Sequence, residues 1–219
     1  MKKIIFILLI FCFLILTIFK VDANNLTYPL LGKLIAIDPG HGGVDNGASQ
    51  GLVNEDDINL EISLKLRTEL EKNGASVILT RDDDYDLARP NALYRKKSDF
   101  DNRIKLINNS KADIYLSIHL NYYSNSKYYG PQIFYSDNFK ENQVLAKFIQ
   151  EELNKNLNTK RNIKKNSNAN YMYPKLNVKG VLIECGFLSN YQDRLNLQDM
   201  TYQDKLSKII VLAIINYYN

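Results

Sequence analysis

Apolar positions along this chain follow two rhythms. Ile58, Ile62, Leu66 and Leu70 recur every four residues, Leu60 and Leu64 widen the stripe, and Asn73-Gly74 stops it. The pattern predicts a helix over 56–73. Short apolar runs flank it: Lys33–Asp38, between Gly32 and Pro39-Gly40, and Ser76–Thr80 (SVILT). Their length and bounding turn residues predict strands. Strand, helix and strand at this spacing make a βαβ unit, so the two strands pair in parallel. Residues 81–99 are polar, contain Pro90 and read as a long loop. Further on, the pattern predicts a helix over 100–109 with Ile104 and Ile107 inward, then strands over 113–119 (DIYLSIH) and 132–135. A helix over 138–158 rests on Leu145, Ile149, Leu153 and Leu157. Residues 159–170, rich in Asn and Lys, read as a mobile segment. A strand over 181–185 (VLIEC) and a helix over 203–217 on Leu206, Ile210, Ala213 and Ile214 close the chain. No internal repeat is present. The expected fold is a single α/β domain with a mostly parallel sheet.

The N-terminus has a different character. Lys2 and Lys3 precede an unbroken apolar run, Ile4–Phe19, closed by Lys20, and Val21-Asp22-Ala23 offers small residues for cleavage. The run has 16 residues, short of the ~20 of an ideal spanning helix. Residues 1–23 are therefore expected to be either a signal peptide or an N-terminal membrane anchor. Both export residues 24–219, which make one domain of ordinary size. The leader carries three lysines and one aspartate, so the formal charge falls from +4 for the whole chain to +2 for the body. That weak balance gives no argument for nucleic acid. Cys185 is the one cysteine of the body, which excludes an internal disulfide and thiolate zinc sites there. The acidic run Asp82-Asp83-Asp84 lacks the alternating spacing of a calcium loop and reads as a solvated turn.

Candidate chemistry gathers at strand ends. The first strand runs into IAIDPGHGGVDNGA, residues 35–48, and presents His41, one of only two histidines, among glycines. The strand over 113–119 ends Ser117-Ile118-His119, and the last strand carries Glu184 within VLIECGF. In open parallel sheets the ligand crevice lies beyond the carboxyl ends of the strands. The first helix begins at that edge, which adds Glu55. Two His and a Glu are a known catalytic zinc set that leaves a position for water. A further carboxylate can serve that water as base and the leaving amine as acid. Each residue also has a plainer reading: a hydrogen-bonded strand-end His, or a helix N-terminal charge at Glu55. Glu184 is harder to explain that way, because an ionisable group in so apolar a strand costs several kcal/mol to bury unpaired. The glycines around His41 are expected to let a metal or substrate approach the loop.

DPGHGGVDNGA, NEDDINLEISLKL, SVILTRDDD, ADIYLSIHLN and VLIECGFLSN, in this order, resemble the zinc-dependent N-acetylmuramoyl-L-alanine amidases of the amidase-3 type over residues 33–217. The resemblance implies about six strands flanked by helices and one Zn2+. It implies hydrolysis of the peptidoglycan amide between N-acetylmuramic acid and L-alanine. By motif, His41, Glu55 and His119 match the zinc ligands and Glu184 the catalytic glutamate. Arg103 matches a recurring arginine, read as a structural ion-pair partner. Glu61 and Glu69 fall outside the motif and read as surface charges. Asp38 either orients a ligand histidine or shapes the turn. Tyr122, Tyr123, Tyr128 and Tyr129 read either as a sugar- or peptide-stacking rim or, the plainer role, as cover for the sheet edge. The single-domain layout and the stretches at 95–108 and 130–153 resemble the sporulation and germination amidases of spore-forming Firmicutes. That branch implies a role in muramic-δ-lactam formation in the spore cortex, and leaves an activating protein partner open. No cell-wall-binding repeat is present, so location rests on the leader. The rival readings are a zinc peptidase cutting inside the stem peptide, a non-catalytic wall-binding module and a tethered scaffold.

Overall fold

Leu34–Pro39 forms β1, whose alternate residues serve both faces of a central sheet: Ile35 and Ile37 enter one core cluster and Ala36 the other. The structure, a computed structural model, describes residues 28–166 and 171–219. The leader expected over residues 1–23 lies outside them. After β1 come a small hairpin, β2 (Ser49–Gln50) and β3 (Val53–Asn54), then helix α1 (Glu55–Lys72) and strand β4 (Ser76–Leu79). Helix α2 (Arg95–Ser110) and β5 (Ile114–Asn121) follow, then β6 (Gln132–Tyr135), α3 (Lys140–Leu157) and β7 (Lys164–Lys165). A 3-10 turn (Tyr173–Lys175) leads into β8 (Gly180–Phe187), and α4 (Tyr191–Gln198) and α5 (Met200–Tyr218) complete the chain.

The main sheet has six strands in the order β4-β1-β5-β8-β6-β7. β4, β1, β5 and β8 are parallel neighbours, and β6 runs antiparallel to β8. The fold is thus a single α/β domain with a mostly parallel sheet. One face is covered by α1, α3 and α5 through Ile58, Ile62, Leu66, Leu145, Ile149, Leu206 and Ile210, all buried. The other carries α2 and the 3-10 turn, with Ile107, Met172, Tyr173 and Leu182 in a smaller cluster. Among the described residues no helix is long and apolar enough to cross a membrane.

Three expectations change. Helix α2 starts at Arg95, inside the expected loop, because its buried positions are Asp99, Arg103 and Ile107. They share one helical face, but two of them are charged, so apolar spacing cannot show it. The segment 159–170 contains β7, whose two lysines pair with Phe134 and Tyr135; residues 167–170 lie outside the described residues. A separate helix, α4, precedes the last one; Asn190 caps it by accepting from Asp193 N.

Candidate active site and metal centre

The loop after β1 is built on unusual backbone. His41 has φ +62°, Gly42 φ +120° and Gly43 φ +64°. A non-glycine residue in the left-handed region needs outside support, and two buried arginines supply it. Arg103 donates from Nη1 to Pro39 O (2.7 Å) and Asp38 Oδ1 (2.8 Å), from Nη2 to His41 O, and from Nε to Asp99 Oδ2 (2.8 Å). Arg81 donates from Nε to Pro39 O (3.1 Å) and from Nη2 to Gly40 O (2.9 Å) and Asp56 O (2.8 Å). Three successive loop carbonyls, Pro39 to His41, therefore end on guanidinium groups. Asp84 Oδ1 accepts from Gly43 N at 2.6 Å, so the acidic run expected to be a solvated turn also props this loop.

On that loop His41 meets His119 from β5 and Glu55 from the first residue of α1. Their ligand atoms all lie within 4.8 Å of one another. Glu55 Oε1 is 3.2 Å from His41 Nε2 and 3.0 Å from His119 Nδ1, and it accepts from Leu120 N at 3.1 Å. Its Oε2 accepts from Ala48 N at 2.9 Å. Burial pushes the Glu55 carboxyl up, but the hydrogen bonds and charges of His119 and His41 outweigh it and hold it far below the usual range. The donor set suits a divalent metal such as zinc: two imidazoles and one ionised carboxylate, converging without thiolates.

The glycines serve this cluster. A Cβ on Gly40 would fall 2.2 Å from His119 Cε1, and one on Gly47 2.6 Å from Glu55 Oε2 and 2.8 Å from His41 Cδ2. A Cβ on Gly42 would meet Tyr85 O at 2.6 Å and Arg81 Nε at 2.8 Å. The expectation of open approach for metal or substrate is thus corrected at these glycines. The space they leave is filled by protein: the ring and carboxylate of the cluster, and Arg81.

Glu184 faces the cluster across a pocket of about 480 Å³, lined also by His41, His119, Phe134, Met172 and Leu182. Its Oε2 is buried without a hydrogen-bond partner. Burial first, and then the Glu55 carboxylate, push its pKa up to about 8. A group held in that range takes or gives a proton near neutrality.

Two supporting residues escaped sequence reasoning. Asp45, four residues after His41, has Oδ2 3.1 Å from His41 Nδ1. It fills the orienting role considered for Asp38, which instead binds Arg103, Thr80 Oγ1 (2.6 Å) and Ser117 Oγ (2.9 Å). Arg81 is the other; it stands two residues after the end of β4, at the start of the polar stretch that reads as a loop. Tyr122, Tyr123, Tyr128 and Tyr129 remain about half exposed, with Tyr128 stacked on Phe187 at 6.3 Å.

The Amidase_3 family, described as N-acetylmuramoyl-L-alanine amidase, matches residues 35–216. The germination-specific N-acetylmuramoyl-L-alanine amidase of Bacillus subtilis is 40% identical, over 94% of this chain and 90% of that protein. The amidase LytC of the same organism is 32% identical over 90% of this chain, which spans 38% of LytC. The solved CwlD amidase of Clostridioides difficile, in complex with the GerS lipoprotein, is 42% identical with a TM-score of 0.80, over 85% of this chain and 98% of that one. The cluster, the pocket and these likenesses agree: the chain belongs to the Amidase_3 family of N-acetylmuramoyl-L-alanine amidases, enzymes that act on peptidoglycan.

Proposed function

We propose that this amidase is zinc-dependent, that His41, Glu55 and His119 hold the metal, and that Glu184 is its catalytic acid–base. The observation that carries the reading is the convergence of three metal-competent ligand atoms and an unpartnered buried carboxylate on one pocket. When bound, zinc would polarise the scissile carbonyl and acidify a water molecule. Glu184 accepts the proton of the attacking water on its carboxylate and passes it to the nitrogen of L-alanine, which leaves as an amine. Asp45 holds the His41 ring through Nδ1 and keeps Nε2 directed at the cluster. Arg81 and Arg103 hold the loop that carries His41. Residues 24–219 are the catalytic domain in this reading. It acts outside the cytoplasmic membrane, with residues 1–23 as cleaved signal or anchor.

The germination-specific relative and the relative solved with a lipoprotein support a narrower role, in spore cortex and muramic-δ-lactam formation, with an activating protein partner. The test is digestion of purified peptidoglycan, with and without zinc, and mass spectrometry of the fragments. Free stem peptides beginning at L-alanine, lost on chelation, are expected. Cuts inside the stem would make the protein a peptidase. Glu184→Gln should keep its zinc and lose turnover by about 10²–10⁴-fold; loss of zinc instead would make Glu184 a ligand.

A further inference from the structure

Beyond Glu184, along the same strands, lies a second cleft of about 220 Å³. Strand register places it. Gln132 of β6 stands opposite Glu184, and Asn121 of β5 stands opposite Phe187, three residues further along β8. Phe134 and Leu182 line the main pocket, whereas Gln132 and Phe187 line this cleft. Glu184 therefore stands at the boundary between two cavities. A strand advances ~3.3 Å per residue, so the cleft opens within about 10 Å of Glu184.

The two cavities differ in chemistry. The cation of the main pocket, Arg103, is neutralised by Asp38 and Asp99, and much of the remaining wall is apolar or aromatic. The cleft instead carries Arg161 and Lys164. Arg161 is held in place: Nε donates to Tyr129 O at 2.8 Å, and the guanidinium carbon lies 4.6 Å from the Phe187 ring centre and 5.3 Å from that of Tyr128. Its two Nη groups have no acceptor among the described residues. A neighbouring cleft of about 270 Å³ shares Tyr128 and Arg161 and adds Lys127 and Lys160. No aspartate or glutamate is among the residues lining either cleft. With a formal charge of only +4 on the whole chain, this concentration of cations is local.

We propose that this cleft takes a carboxylate-bearing residue of the stem peptide, with Arg161 as its bidentate anchor and Lys164 beside it. The inference rests on the amidase reading and adds a subsite to it. The amine released by hydrolysis takes its proton from Glu184, so the peptide departs on the Glu184 side. Stem peptides carry free carboxylates beyond their first residue, and three extended residues span about 10 Å, the advance along β8 from Glu184 to Phe187. A guanidinium fixed by a backbone bond and two aromatic faces offers a preorganised fork for a carboxylate.

The experiment is isothermal titration of the zinc-loaded protein with a free stem tripeptide, once with free carboxylates and once as the carboxamides. The wild type should bind the carboxylate form about tenfold more tightly. Arg161→Gln should abolish that preference. Lys164→Gln, an exposed change that breaks no hydrogen bond among the described residues, should reduce it about threefold. Affinity for the carboxamide form should stay within about twofold in both variants, and hydrolysis of soluble muropeptides should show the same losses in KM with kcat retained. Equal binding of the two forms by the wild type, no binding at all, or a preference that survives Arg161→Gln overturns the subsite. A wild type that discriminates between the peptides yet, with an activating lipoprotein partner supplied, releases none from peptidoglycan refutes the amidase reading instead.

Discussion

Replacing Arg103 with Met tests how the site is held together. Arg103 and Asp38 are each 2% exposed at the side chain, and Asp99 10%. The substitution keeps much of the volume and removes the cation, leaving the Asp38 and Asp99 carboxylates without their counter-charge and the His41 carbonyl without its donor. Breaking a buried pair from one side costs ~3–5 kcal/mol, a large part of an ordinary domain's 5–15 kcal/mol. For this chain length that is a fall in Tm of roughly 6–20 °C. The chain has no tryptophan, so far-UV circular dichroism in guanidinium is the assay. The cost must also depend on pH. In the wild type burial raises the Asp38 pKa, but Arg103 and the Thr80 hydroxyl bring it below its ordinary 3.8. The ionised form thus adds stability that is present above 3.8 and is lost as pH falls through the lowered value. Without Arg103 burial dominates, the folded pKa lies above 3.8, and protonation relieves the penalty as pH falls through it. The variant should therefore lose less, relative to wild type, at pH 4 than at pH 7. Adding Asp38→Asn should recover part of the loss, so the double variant is more stable than the sum of the single effects. A loss under about 1 kcal/mol, or one equal at both pH values, would refute the reading of Arg103 as the counter-charge of this loop.

Two further substitutions separate folding from metal binding. Gly40 does not have the positive φ of its neighbours, so Gly40→Ala is tolerable for the backbone, but its Cβ would fall 2.2 Å from the His119 ring. The ring must turn away, and zinc affinity should fall by more than about tenfold while the dichroism spectrum is kept; competition with a chromogenic chelator reads this, and unchanged affinity would show that His119 is not a ligand. Asp45→Asn keeps an oxygen near His41 Nδ1 and removes the charge, and should weaken zinc binding by about 10-fold in the same assay with little change in stability.

The fold's apolar code was legible. Ile58, Ile62, Leu66 and Leu70 all face the core at the spacing that predicted their helix, and the strands over 34–39, 76–79, 114–121 and 180–187 coincide with apolar runs. Elements without an apolar signature stayed hidden. β7 is two lysines, and the buried face of α2 begins with Asp99 and Arg103. The same division runs through the site. His41, Glu55, His119 and Glu184 could be singled out because a polar residue ending an apolar strand, or opening a helix at that edge, is conspicuous, and one pocket and its cluster bring them together.

Arg81 shows what such reasoning lacks. Nothing in SVILTRDDD marks an arginine that is 1% exposed, because charge predicts exposure and only unmet demand predicts burial. The demand lies about 40 residues earlier, in the carbonyls of Pro39, Gly40 and His41, which accept from the two guanidinium groups where the chain leaves β1 for the left-handed backbone of His41 and the next two residues. Buried carbonyls must be answered, and two arginines from different elements answer them. The loop can therefore hold a conformation that its own sequence resists. It follows that the apolar core fixes where the strands end, while a separate buried polar network fixes how His41 stands at the end of one of them. A substitution in that network can spare the fold and still remove the geometry on which a bound metal would depend.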